Sequence, residues 1–162
     1  MANKDAPFGL KPIGKVGQNR DNQGLSEYDI AASATAIYFQ DPVKMLNTGT
    51  IGVAAAGDAL LGAITGVFFT DASTSKPTFA NHLDASNAAT DIKGFVTDDP
   101  YERFEIQTNN SGASATTDIF NVADIVYAAG SSPDYVSQVE LNDSTLAAGS
   151  SATLQILGLS KD

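Results

Sequence analysis

Short runs of alternating apolar and polar residues recur along most of the chain, and each run ends at a cluster of turn-forming residues. In GFVTDDPYERFEIQTN, residues 94–109, Phe104 and Ile106 lie on one face and the intervening polar residues lie on the other. This is the period of a half-buried strand. Pro100 favours a turn before it, because proline fixes the backbone φ angle that such a turn needs. The pattern predicts two strands joined by a turn, with the charged side chains facing water.

Similar runs predict short strands over most of the remaining chain. They lie at residues 27–32, 36–40, 43–46, 51–55, 60–69, 93–97, 102–108, 124–128, 135–141 and 152–159. Short strands at this spacing are typical of an all-β fold, either a small β-barrel or a sandwich. TTDIFNVADIVY is the exception, since its apolar residues also have helical spacing, and one short helix there is the alternative.

Two stretches between the predicted strands are long and polar. They cover residues 70–92 and 108–118. A loop of about 20 residues without secondary structure is unusual in a compact domain and is commonly functional. We therefore expect both loops to contact neighbouring molecules.

The first 26 residues differ from the rest in composition. Residues 1–26 hold four glycines, two prolines and only isolated apolar residues, so this segment cannot bury enough surface to fold alone. The sequence predicts an extended N-terminal arm at residues 1–26 and a β-barrel or sandwich body at residues 27–162. We expect the arm to become ordered against another protein. If the arm instead folded tightly onto its own body, the case for a role in clamping other subunits through the arm would collapse.

Length, charge and composition narrow the classes of function. The chain has 162 residues, enough for one domain with a core. Its net charge is −10, although four basic residues and one acidic residue lie in the first 20 positions. An acidic body repels a phosphate backbone, so nucleic acid is not an expected partner. The absence of cysteine excludes disulfides, thiolate zinc sites and cysteine nucleophiles.

One apolar segment approaches the length of a membrane span. It covers residues 51–69 and contains Asp58, which would cost about 3 kcal/mol in the middle of a membrane. The Gly-Asp pair within it is better explained as a turn between two strands. No membrane association is expected.

Chemistry-bearing residues are sparse. His82 is the single histidine and lies in a long loop, without a GxSxG nucleophile motif or a phosphate-binding glycine loop anywhere in the chain. We expect it to be a solvated loop residue, and we expect no catalytic residue, no metal and no cofactor. A calcium ion held by Asp98, Asp99 and Glu102 is the less favoured alternative, because Ca²⁺ prefers oxygen ligands.

Four segments of the chain resemble a known group of proteins. They are ANKDAPFGLKPIG, FQDPVKM, GFVTDDPYERFEIQT and LQILGL. They are similar to segments of small virion proteins of tailed bacteriophages, many from marine phages, that are encoded beside the major capsid protein and are regarded as capsid decoration or cement proteins. The resemblance implies a β-barrel body on the outer capsid surface of the virion, after synthesis in the host cytoplasm. It also implies binding to the major capsid protein and to neighbouring copies, as in a trimer, and it supplies no catalytic residues.

The arm carries the residues that this resemblance makes candidates for capsid binding. They are Phe8, Leu10, Lys11, Pro12, Ile13 and Lys15. The apolar members would fill grooves of the capsid protein, with the segment added as a strand, and the lysines would meet acidic groups. The alternatives are another virion component, in the tail or connector, and a carbohydrate or host-recognition module that uses the long loops.

Overall fold

The computed structural model describes residues 5–17, 24–109, 114–149 and 152–160. Its strands are β1 Lys11–Lys15, β2 Ser26–Asp29, β3 Pro42–Met45, β4 Ile51–Val53, β5 Gly62–Thr70, β6 Pro77–Ala80, β7 Lys93–Thr97, β8 Glu102–Glu105, β9 Val122–Ala123, β10 Ile125–Val126, β11 Glu140–Leu141 and β12 Leu154–Gln155. Single 3₁₀ turns lie at Thr116–Asp118 and Asp143–Thr145. The all-β prediction is confirmed, and the sheets form a sandwich-like arrangement without a closed barrel.

One larger sheet organises the fold. Its strand order is β2-β7-β5-β3-β4, and β6 pairs with the second half of β5. The smaller two-stranded sheets are β1-β8, β10-β11 and β12-β9. The main core cluster consists of Ile30, Ile37, Val43, Ile51, Ile64, Val67, Leu83, Ala89, Ile92 and Val96. Burial of these side chains on one face of the large sheet provides the main apolar contribution to stability.

Strand β5 lies at the centre of this sheet and contacts β3, β6 and β7. Gly62 begins the strand where the backbone of Thr97 passes so close that a Cβ atom at Gly62 would collide with its carbonyl oxygen. A glycine is therefore required for this strand pairing. The register shifts between Ile64 and Gly66, which is a local irregularity of the bulge type.

The apolar segment at residues 51–69 forms β4, a turn and the first part of β5. Gly57 has a φ of +77° in the turn, a conformation that glycine adopts without strain. Asp58 accepts a hydrogen bond from the Ala55 N–H and pairs with Lys44 Nζ at 2.7 Å. The predicted turn is confirmed. None of the helices in the described part of the chain approaches the length or apolar character that a membrane crossing needs.

Several local predictions were wrong. Residues 70–92 are not a structureless loop, because they form β6 and place Leu83 and Ile92 in the core. In the TTDIFNVADIVY segment, β10 lies inside the predicted strand at residues 124–128, and the helical alternative is not realised, because a 3₁₀ turn and β9 precede β10. Strands β1 and β6 were missed because each contains a proline, which edge strands tolerate. The predicted loop at 108–118 lies partly outside the described residues.

Candidate functional site

The described part of the N-terminal arm belongs to the body. Strand β1 pairs antiparallel with β8, with Lys11 opposite Glu105 and Lys15 opposite Glu102. Leu10 is 0% exposed, and its N–H donates to the carbonyl oxygen of Gln40 at 2.9 Å. The expectation that the arm needs another protein to become ordered was therefore wrong for residues 5–17. The prediction failed because the strand partner of the arm lies about 90 positions further along the chain, and the local composition does not reveal such a distant partner.

The start of the arm is held by close backbone packing. Gly9 has a φ of +74°, and a Cβ atom there would collide with the carbonyl oxygen of Gln40 and with the Ser137 side chain. Glycine is the residue that both the conformation and the space require. This contact places Leu10 in the core directly before β1 begins.

Glu105 joins the arm to the end of the described chain. Its Oε2 pairs with Lys11 Nζ at 3.0 Å, and its Oε1 accepts a hydrogen bond from the Ser160 hydroxyl at 2.5 Å. The Ser160 hydrogen bond, followed by the Lys11 contact, lowers the pKa of Glu105. Both contacts favour the ionised carboxylate.

The other carboxylates of this segment also make contacts within the chain. Lys15 Nζ pairs with Asp99 Oδ2 at 2.9 Å, and Glu102 Oε1 accepts a hydrogen bond from the Gly14 N–H at 3.1 Å. Asp98 accepts a hydrogen bond from a tyrosine hydroxyl of β2 at 2.5 Å. The prediction that the charges of residues 94–109 face water was thus wrong for these carboxylates.

The calcium alternative receives no support from this geometry. Asp98, Asp99 and Glu102 each have a different partner on β1 or β2. No group of three potential metal ligands occurs among the described residues. Asp99 and Glu102 instead hold the arm on the body, and Asp98 contacts β2 within the body.

The six predicted capsid-binding residues occupy very different environments. Leu10 is in the core, Phe8 and Pro12 are half-buried, and Ile13 is 54% exposed. The Lys15 side chain is 12% exposed, whereas that of Lys11 is 52% exposed and its Nζ lies 5.9 Å from the Phe8 ring centroid. Ile13 is the apolar member of this set that is available to a partner.

Ile13 lines an open groove that we call the arm groove. Its lining residues are Pro12, Ile13, Gly14, Gly24, Leu25, Thr97 and Glu102, and its volume is about 640 Å³. Leu25 is 55% exposed on the side of the groove formed by residues 24 and 25. Leu25 was not among the predicted binding residues, and the signal available there was an isolated leucine two positions before a predicted strand. Two half-exposed aliphatic side chains therefore face solvent beside the docked arm.

Asp41 is a fully buried carboxylate next to the docked start of the arm. Its Oδ2 accepts a hydrogen bond from the Tyr38 N–H at 2.8 Å, while Oδ1 has no hydrogen-bond partner among the described residues. Burial raises the pKa of Asp41 to about 6, against the opposing influence of the nearby Ser137 hydroxyl and the Tyr38 N–H. Burial, together with the charge of Asp41, raises the pKa of Tyr127 to about 12.

His82 has structural contacts. Its ring stacks on Tyr135 with centroids 3.8 Å apart, Nδ1 lies 2.9 Å from Asn81 Oδ1, and Nε2 lies 3.6 Å from Asp84 Oδ1. Its side chain is 18% exposed, so the expectation of a solvated histidine was wrong. The stacking partner is 53 residues further along the chain and could not be inferred from the loop sequence.

Comparisons with models of protein families, with curated proteins and with solved structures found no match.

Proposed function

We propose that this chain is a structural protein of a phage virion that decorates the outer capsid surface and stabilises the shell by contacting neighbouring subunits of the major capsid protein. The four segments that resemble phage decoration proteins support this proposal. The arm groove is the structural observation that carries it. It presents two exposed aliphatic side chains on a part of the surface that is fixed by strand pairing and ion pairs.

The mode of binding differs from the one expected for a free arm. Leu10 is in the core, and Lys15 is paired with Asp99, so neither is available to a capsid groove without partial unfolding. Ile13 and Leu25 are exposed on the folded molecule. Binding through them requires little ordering of the chain, and a preorganised surface avoids much of the entropy cost of association.

Stabilisation of a shell follows from selective binding. A protein that binds the assembled lattice and not the separated subunits shifts the equilibrium towards the lattice by mass action. At a free concentration of about 100 times Kd, each site contributes about 2.7 kcal/mol. Many modest sites on one shell therefore have a large combined effect.

The test uses shells of the virion that encodes this chain, assembled without it. We expect the purified protein to bind such shells in many copies and to raise the temperature at which they release their contents. Ile13→Ser and Leu25→Ser should each weaken binding about tenfold or less, and the double substitution should weaken it further. If the contact buries about 30 Å² of apolar surface on one of these side chains, its loss costs roughly 0.75 kcal/mol of binding free energy. A larger loss of affinity would mean that the capsid protein buries most of that side chain.

The matched control is Met45→Ser, which changes a side chain that is 69% exposed in β3, outside the groove lining. It should leave shell binding unchanged. Equal binding by the groove variants and by the control would reject the groove as the contact surface. A copy number of about a dozen or fewer per particle would reject decoration and favour a tail or connector position, and binding to glycans without binding to shells would favour a recognition module.

A further inference from the structure

Three neighbouring aromatic rings, one exposed and two half-buried, lie on the outer face of the large sheet. Phe79 on β6 is 74% exposed. Its ring centroid lies 4.8 Å from that of Phe68 and 6.4 Å from that of Phe95, with the Phe79 and Phe95 rings nearly parallel. We call Phe68, Phe79 and Phe95 the aromatic patch. An isolated exposed apolar side chain is common, but an exposed ring that rests on two half-buried rings forms a larger contiguous apolar surface, and such surfaces more often mark an interaction site.

Strand β6 also has an open hydrogen-bonding edge. It pairs with β5 and, within the described part of the chain, with no other strand. The Asp71 N–H donates to the Lys76 carbonyl oxygen, so these two residues form a hydrogen-bonded pair. Hydrogen-bonded and non-hydrogen-bonded pairs alternate along an antiparallel ladder, which makes the pairs of β5 with Pro77 and Phe79 non-hydrogen-bonded. Phe79 and Pro77 therefore direct their backbone polar groups away from β5. Pro77 lacks an N–H at a position where β5 does not need one, as expected for an edge strand.

The free backbone groups and the exposed ring belong to the same residue. Phe79 offers an N–H and a carbonyl oxygen at the edge and a phenyl ring on the adjacent face. An added antiparallel strand would satisfy the backbone groups and cover the ring at once. A second copy of β6 is self-complementary here, because a two-fold axis beside Phe79 pairs its N–H and C=O with those of the same residue in the other copy.

Charge supports a second copy as the occupant. Lys76 lies directly before β6 and makes no ion pair with a described carboxylate, whereas Asp84 lies after it with its side chain 79% exposed. In an antiparallel pair centred on Phe79, Lys76 of one copy lies opposite His82 of the other, and Asp84 is beside that histidine. The arrangement creates two symmetric contacts between opposite charges.

We infer that β6 pairs with β6 of a second copy to form a two-fold dimer through the aromatic patch. The strand has only four residues. The surface that such a pair buries is therefore small compared with the roughly 800 Å² per partner that stable complexes bury. The dimer is therefore weak, with a Kd in the micromolar to millimolar range. This inference does not rest on the proposed capsid function, because the capsid test substitutes Ile13 and Leu25 of the arm groove and this test substitutes residues in and beside β6.

The test is sedimentation equilibrium of the full chain across that concentration range. Wild type should change from monomer to dimer, and Phe79→Thr should weaken association about tenfold, as expected for loss of a central aromatic anchor. Met45→Thr changes a strand position of similar exposure and should associate like wild type. Hydrogen exchange of the Phe79 amide should slow as wild-type concentration rises, because the amide gains a partner.

Exchanging the charges at Lys76 and Asp84 provides a second test that leaves the aromatic patch unchanged. Lys76→Glu should weaken the dimer, and Lys76→Glu combined with Asp84→Lys should restore it. Wild type that stays monomeric over the whole range, or Phe79→Thr that behaves like Met45→Thr, would overturn the inference. Monomeric wild type together with loss of shell binding in Phe79→Thr would also overturn it and would assign the patch to the capsid protein.

Discussion

From the burial of the Asp41 carboxylate we predict how the free energy of unfolding depends on pH. The residue is 0% exposed, and one of its oxygens has no hydrogen-bond partner among the described residues. Replacement by asparagine keeps the shape and an oxygen that can accept from the Tyr38 N–H, but it removes the ionisation. The asparagine can change the free energy of unfolding by a fixed amount, but this amount does not vary with pH. It therefore does not affect the difference in pH dependence between wild type and Asp41→Asn.

The expected magnitude follows from the change in pKa. Burial raises the pKa of Asp41 from 3.8 to about 6, and each unit corresponds to 1.36 kcal/mol. The folded protein binds this proton more tightly than the unfolded chain, so protonation favours folding. The contribution is fully present below about pH 3.8 and is lost as pH rises through about 6. The full contribution is about 3 kcal/mol, and most of it is present at pH 4, so wild type should gain roughly 2 to 2.5 kcal/mol relative to Asp41→Asn between pH 8 and pH 4.

Urea unfolding at a series of pH values measures this difference, with circular dichroism as the signal because the chain has no tryptophan. Asp71→Asn is the control. Hydrogen bonds from the Ser73 hydroxyl and the Thr74 N–H lower the pKa of Asp71 from 3.8 to about 2, so its effect lies below pH 4 and has the opposite sign. Parallel pH profiles for wild type and Asp41→Asn between pH 8 and pH 4 would refute the argument.

Two further predictions concern packing, and urea unfolding measures both. Leu10→Ala should lower the free energy of unfolding by about 2 to 5 kcal/mol, because Leu10 is fully buried, whereas Ile13→Ala should change it by less than about 1 kcal/mol. Similar small effects at both positions would contradict docking of the arm. Gly62→Ala should cost about 3 kcal/mol or more, because its Cβ would collide with the Thr97 backbone. Gly24→Ala has open space and serves as the control, and equal stability of the two variants would contradict the close strand approach.

Local patterns predicted much of the sheet but little of the way in which it is assembled. Strand β7 has the predicted bounds, and β8 begins at the predicted residue, because their alternation reflects one buried face. The Gly57 turn was predicted from its residue type. Strand β6 was missed because Pro77 resembles a strand breaker, although the open edge makes its missing N–H harmless.

The candidate site was harder to predict because its contacts are distant in sequence. Lys11 and Glu105 are 94 positions apart, and no local pattern links them. The exposed Ile13 was among the predicted binding residues, but Leu10 and Lys15 were assigned to a partner and instead stabilise the body. Burial of Asp41 was also not predictable, since an Asp-Pro pair usually indicates a turn at the surface.

The pairing of β1 with β8 has a consequence for synthesis of the chain. Strand β1 ends at Lys15, and its partner begins at Glu102, so the ribosome must add nearly 90 residues before the pair can form. At typical rates of about 5 to 20 residues per second, this takes roughly 4 to 18 seconds. During that interval β1 has no β8 to pair with. Strand β1 can therefore pair only long after it has itself been made.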